Sequence, residues 1–300
     1  MKSRRTDLAV EAREIWQEST EKTTELEGVS AREKDIDGVR VETVCVLDER
    51  GEKELGKPKG TYVTVNLERA YARSKEDFNR SAQAVASSVR ELMPLKEKDT
   101  VLVAGLGNNA ITPDRVGPLT MKHTLATRHL ADTLPEYFGS MRRVSVMETG
   151  VLGTTGLESA EMLRAVCAEV KPDAVIVVDA LASRKAARVC STVQLTDTGI
   201  VPGSGVGNSR AAINSNVLGV PVVAVGVPTV VDAATLAADL MEAGGIKSPS
   251  PDAFGETGGM IVTPRDIDAM TDDVSHLLGM AINLALFDGM NIEDIEALTM

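Results

Sequence analysis

Apolar residues along the chain fall into short runs without alternation, at 101–104, 144–147, 174–178 and 220–227. Each run ends in a turn bearing Gly, Asp or Pro, and each of those turns leads on to a stretch with helical spacing or to further loop. Unalternating β-branched runs suit strands buried on both faces, as in a parallel sheet covered by helices. Residues 39–46 instead alternate, and with 61–65 they predict an antiparallel pair at the sheet edge, joined through a turn at Asp48-Glu49-Arg50-Gly51. A further short strand is expected over 190–195. Helical period marks 81–92, 114 to about 134, 157–170, 231–243 and 264–287, and a short acidic helix starts near 292. Residues 1–36 are charged, helix-prone and poorly suited to a core, with an exposed helix expected over 9–25 and Trp16 as its large apolar anchor. The fold class that follows is α/β, a mainly parallel twisted sheet flanked by helices with an antiparallel edge.

Composition narrows the partners. At 300 residues and 43% hydrophobic the chain can bury a large core, and its net charge of −12 argues against nonspecific binding to nucleic acid or to anionic membranes. It shows neither an apolar N-terminal signal segment nor a transmembrane span, which points to the cytosol. Cys45, Cys167 and Cys190 have no metal-type spacing and an odd count, so they read as reduced, buried thiols.

The candidate chemistry gathers where apolar runs end. After 101–104 come Gly105-Leu106-Gly107-Asn108-Asn109-Ala110-Ile111-Thr112-Pro113-Asp114, and after 174–178 comes Asp179. Asp114 reads either as the N-cap of its helix or as a catalytic acid, and Asp179 as a cap, an ion-pair partner of Arg184 or a second catalytic acid. The glycines also fit a loose dinucleotide fingerprint, although Asp114 would oppose a pyrophosphate there. Adjacent strands lie about 4.8 Å apart, so two carboxyls at the crest can converge on one water and share a proton. One would then activate the water and the other would protonate the leaving group. Asp232 and Glu148 are also candidate crest acids. His123, His129 and His276 are too few and too scattered to favour a metal site, and a nucleophile elbow is missing.

The chain resembles the germination proteases of spore-forming bacteria. The resemblance rests on ordered blocks: Arg5-Thr6-Asp7-Leu8-Ala9-Val10-Glu11, Gly105-Leu106-Gly107-Asn108, Thr112-Pro113-Asp114, Thr127-Arg128-His129-Leu130, Asp179-Ala180-Leu181-Ala182, Asp197-Thr198-Gly199-Ile200, Pro202-Gly203-Ser204-Gly205-Val206-Gly207-Asn208, and Gly219-Val220-Pro221-Val222 running into Gly226-Val227-Pro228-Thr229. Glu148-Thr149-Gly150-Val151 departs from the family, where proline precedes the glycine and methionine follows the valine. The resemblance implies an atypical aspartic endopeptidase with a fold like that of hydrogenase-maturation peptidases, needing no cofactor or metal. It also implies a homotetrameric zymogen, acting in the cytoplasm of the forespore and spore on small acid-soluble spore proteins. The family's essential aspartates fall on Asp114 and Asp179. Its preference for cutting after an acid, before an apolar residue followed by Ala, is met by Thr6-Asp7-Leu8-Ala9, which implies self-cleavage between Asp7 and Leu8. The chain then divides into a propeptide over 1–7, a helical arm over 8–36 and one peptidase domain over 37–300. Gly107, Asn108, Gly203, Ser204, Gly205, Gly207 and Asn208 are the candidate substrate-binding residues. A metal-dependent maturation peptidase and a noncatalytic peptide-binding module are the alternatives.

Overall fold

The structure, a computed structural model, describes residues 5–20, 26–246 and 260–299. The expected propeptide's first four residues and positions 21–25 of the expected N-terminal helix lie outside the described residues. Along the chain the elements are α1 (Ala9–Thr20), β1 (Val29–Ile36), β2 (Val39–Val46), α2 (Glu49–Leu55), β3 (Gly60–Asn66), α3 (Lys75–Leu92), β4 (Val101–Leu106), α4 (Val116–Lys122), α5 (Arg128–Thr133), α6 (Pro135–Phe138), β5 (Val144–Gly150), α7 (Leu152–Thr155), α8 (Ser159–Val170), β6 (Ala174–Ser183), β7 (Thr192–Thr196), α9 (Ser215–Leu218), β8 (Val222–Asp232), α10 (Ala233–Ala243), β9 (Ile261–Val262), α11 (Ile267–Leu286) and α12 (Ile292–Thr299). Among the described residues no helix is long and apolar enough to cross a membrane.

One sheet runs in the order β1-β2-β3-β7-β8-β6-β4-β5, with β9 on β8. Strands β8, β6, β4 and β5 pair in parallel, as the unalternating apolar runs require, whereas β1, β2, β3 and β7 form an antiparallel wing. The sheet alternates its side chains between two layers. Val101, Val103, Ile176 and Val178 pack toward α3, α4 and α11, while Leu102, Ala104, Val175 and Val177 pack toward α8 and α9. Period two therefore puts Asp179 on the second of these faces.

The antiparallel wing is larger than the expected edge pair. Val29–Ile36 is a strand, not part of a helical arm, and pairs with β2 along its whole length. Asp37 and Gly38 link them, both with positive φ (50° and 81°), the signature of a two-residue hairpin turn. Charged side chains hid β1, because an outermost strand keeps its faces wet. Nor is the N-terminal segment an exposed arm. Leu8, Ala9, Val10 and Glu11 are buried, and Leu8 and Val10 pack with Leu181. Helix α1 docks by charge: Glu18 pairs with Arg184 at 2.7 Å and Glu14 with Arg188 at 2.9 Å.

Two more expectations change. The helix expected from 114 to about 134 is broken into a short turn at Thr112–Asp114, then α4 and α5. The break is held by Asn283 of α11, which accepts from Leu125 N–H at 2.9 Å and donates to His123 O at 2.8 Å. Strand β8 does not stop at Pro228 but passes it through a bulge, where Leu181 pairs with Pro228 and Ala182 with Val230.

Helix α4 approaches β4 through two glycines. A Cβ on Gly117 would lie 2.1 Å from Leu106 O and 2.6 Å from Val178 O, and one on Gly105 would lie 2.4 Å from Gly117 O. These neighbours are backbone atoms, which cannot swing aside. Gly117→Ala should therefore destabilise the fold by about 1–3 kcal/mol or more, as overpacking does, measured by urea unfolding; a midpoint equal to wild type would show that the helix has room to move.

Candidate active site

Strand β4 lies between β5 and β6, and the chain leaves it toward β5 before returning to β6. Such a reversal opens a crevice at the carboxyl end of the sheet. Pairing of β4 with β6 ends at Gly105 and Val178, so Asp179 is the first residue of β6 beyond its neighbour. It does not end its strand, however, because β6 continues to Ser183 alongside β8.

Asp114 reaches the same crevice by a tight return. Gly107 has φ +108°, and a Cβ there would lie 2.1 Å from Asp114 O, so only glycine lets the backbone fold back. Asn108 N–H then donates to Asp114 O at 3.1 Å and to Asp114 Oδ2 at 2.8 Å. Neither aspartate takes its simpler role. Asp114 does not cap α4, whose N-cap is Arg115. Arg184 pairs with Glu18 and Asp239, leaving Asp179 to accept from Ala180 N–H at 2.9 Å.

Asp114 and Asp179 line one cavity of about 420 Å³. Burial pushes the Asp179 carboxyl well above its ordinary value, and the negative charge of Asp114 and then that of Asp7 add to it, against the Ala180 N–H. Burial also raises Asp114, opposed by the Asn108 N–H. Two such groups in a dry cavity do not both ionise easily, so they titrate as a pair.

Asp7 lines this cavity too, together with a neighbouring one of about 390 Å³. Its backbone N–H donates to Ala182 O at 2.9 Å, and its carboxylate accepts from Ala182 N–H at 2.8 Å and from Ser204 Oγ at 2.9 Å. Its carbonyl accepts from Lys57 Nζ at 2.8 Å and from Gln194 Nε2 at 3.0 Å. Gly205 sits so close that a Cβ would lie 2.1 Å from Asp7 Oδ2. Glu11, wholly buried, braces the segment by accepting from Thr6 Oγ1 at 2.5 Å, Arg184 N–H at 2.6 Å and Lys185 N–H at 3.0 Å.

Of the residues expected to bind substrate, Gly107, Asn108, Gly203, Ser204, Gly205 and Asn208 line the larger cavity. Gly207 does not line it, because its φ of +74° turns the loop back and places it against the Arg5 guanidinium. Asp232 is likewise drawn elsewhere, capping α10 through Thr235 N–H at 2.9 Å, and Glu148 is exposed on β5. Lys57 and Gln194 had no signal in the sequence, since each gains meaning only when the N-terminal segment folds onto it. Among the described residues no group of three or more His, Cys, Asp or Glu side chains is arranged to hold a metal. Cys190 is no nucleophile, burial having pushed its thiol up to about 12.

Comparison with known proteins agrees with this picture. A family model described as germination protease matches residues 9–243. The chain is 41% identical to the germination protease of Caldanaerobacter subterraneus, over 98% of this chain and 97% of that one. It is 39% identical to that of Clostridium perfringens, over 97% of each. Among solved structures, a [NiFe] hydrogenase maturation protease, HycI, from Thermococcus kodakarensis aligns with TM-score 0.36 and 15% identity, covering 65% of this chain and 98% of that one.

The raised Asp179 carboxyl sets the sign of a pH effect. Unfolded, the group ionises at its ordinary value of 3.8, whereas folded it keeps its proton to higher pH. Between those two points the folded state binds more protons, so its stability falls as pH rises. Asp179→Asn removes this term. Its melting temperature should rise relative to wild type as pH is taken from the ordinary carboxylate range toward neutrality, and parallel curves would show that Asp179 ionises normally.

Proposed function

This chain belongs to the germination protease family, and from that premise we propose that it is an aspartic endopeptidase whose working pair is Asp114 and Asp179. The observation that carries the reading is that Asp7, Asp114 and Asp179 share one cavity. Asp179, the more deeply buried, holds the shared proton, and Asp114, facing the Asn108 N–H, carries the charge. The ionised carboxylate takes a proton from water as the water oxygen attacks the peptide carbonyl; the protonated partner then gives its proton to the leaving nitrogen.

The first substrate is the chain itself. Residues 1–7 are a propeptide cut off at Asp7–Leu8, residues 8–36 an N-terminal arm, and residues 37–300 the peptidase domain. Leu8 is buried against Leu181 and Asp7 is bonded to Ala182 and Ser204, which supports a segment held as a substrate would be. Acid favours the singly protonated pair and weakens the repulsion among three carboxyls, so processing should quicken as pH falls from about 7.5 toward 5. In trans the substrates are small acid-soluble spore proteins, cut after an acid and before an apolar residue followed by Ala. The assembly is a homotetramer and the compartment the cytoplasm of the forespore and spore core; both rest on the family.

Intact-mass analysis after mild acid incubation tests the reading. Wild type should lose residues 1–7, while Asp114→Asn and Asp179→Asn should slow that loss by about 10²–10⁴-fold, the usual worth of a general acid or base. Processing of either variant at the wild-type rate, or a new N-terminus elsewhere than Leu8, would contradict it.

A further inference from the structure

Lys57 is an unusual place for a positive charge. It follows Gly56, whose φ of +63° ends α2, and its ammonium is buried beside the N-terminal segment. Its Nζ donates to the carbonyls of Asp7, at 2.8 Å, and Thr6, at 3.4 Å. No carboxylate among the described residues forms an ion pair with it, and burial draws it down while the charges of Asp7 and Glu11 hold it up. Both of its carbonyl partners belong to residues 1–7. Once those residues leave, a buried ammonium is left without its acceptors, a costly state unless another carbonyl takes their place.

Gln194 faces the same bond from β7, between Thr64 of β3 and Gly226 of β8. Its Nε2 donates to Asp7 O at 3.0 Å, and its Oε1 accepts from Ala9 N–H at 2.6 Å. One side-chain amide thus grips main-chain groups on both sides of the Asp7–Leu8 bond. That contact reads backbone and not sequence, so a different peptide can make it equally well.

We propose that Lys57 and Gln194 are further catalytic residues, binding the carbonyl oxygen of the bond to be cut and stabilising the charge that develops there. This rests on the reading of Asp114 and Asp179 as the hydrolytic pair. In the step, water oxygen bonds to the carbonyl carbon while its proton passes to the ionised carboxylate. The carbonyl π pair moves onto oxygen, where the Lys57 ammonium and the Gln194 amide meet it. When the carbonyl re-forms, the carbon–nitrogen bond breaks and the nitrogen takes the proton of the other carboxyl. Donors fixed in a buried site are effective because they need no reorganisation as charge develops. Lys57 and Gln194 belong to separate elements, so either can be changed alone.

The test uses full-length protein carrying Lys57→Met, Lys57→Arg or Gln194→Glu. Variants that do not process themselves are first trimmed with tagged, processed wild-type protein, which is then removed. Hydrolysis of a peptide containing Thr-Asp-Leu-Ala is then followed, with Asp114→Asn as control. Lys57→Met and Gln194→Glu should each lower kcat by about 10²–10³-fold with KM little changed, as removal of an oxyanion donor does, and Lys57→Arg should recover part of the loss. If Lys57→Met fails to fold, Gln194→Glu and Lys57→Arg decide. Wild-type kcat in the trimmed variants would overturn the inference and leave Lys57 as an anchor for the N-terminal segment, with the hydrolytic pair intact. Undiminished cleavage by Asp114→Asn, or none by wild type, would instead overturn the reading of the pair.

Discussion

Two carboxyls in one poorly hydrated cavity repel each other, and burial penalises the ionised form of each. Much of the architecture around Asp114 and Asp179 is what holds them together against that tendency. Asp179 is fixed by a strand paired on both sides up to Val178 and still paired with β8 beyond it. Asp114 is fixed by a glycine return that aims a backbone N–H at its carboxylate. The close approach of Gly105 and Gly117 sets α4 against β4 and so fixes where that return can lie. Buried, hydrogen-bonded backbone on rigid elements lets a fold keep an arrangement that free side chains would avoid.

The N-terminal segment adds a third acid to the pair. Asp7 raises Asp179 further through its charge, yet its own carboxylate is met by Ala182 N–H and Ser204. Acidic α1 lies across the basic stretch that follows β6, and Glu11 ties the two together from within. The segment therefore fills the crevice while remaining bonded to the strand that carries Asp179. Acidification acts on both features at once, lowering the repulsion and setting the pair's protonation.

The parallel strands were readable in the sequence because a strand buried on both faces must be apolar throughout, as β4 and the start of β6 are. Both aspartates were readable for the same reason, since a charged residue directly after such a run has nowhere ordinary to go. Strand β1 was hidden by its charged side chains, although Asp37-Gly38 was a hairpin signal in plain view. The break after α4 depends on Asn283, more than 150 positions away along the chain (|i−j| 158 for its bond to Leu125), which no local pattern reports. Lys57 and Gln194 belong to this second kind: their partners come from the first residues of the chain, so only the folded arrangement shows what they face.

The central claim is that Asp114 and Asp179 share a proton at neutral pH. Carbon-13 NMR of protein labelled at the aspartate carboxyl carbons, followed across pH in wild type, Asp114→Asn and Asp179→Asn, tests it most directly. The account predicts one carboxyl resonance that stays protonated well above the ordinary carboxylate range, disappears in Asp179→Asn and titrates differently in Asp114→Asn. Resonances that all titrate together near the ordinary value, unchanged by either substitution, would contradict it.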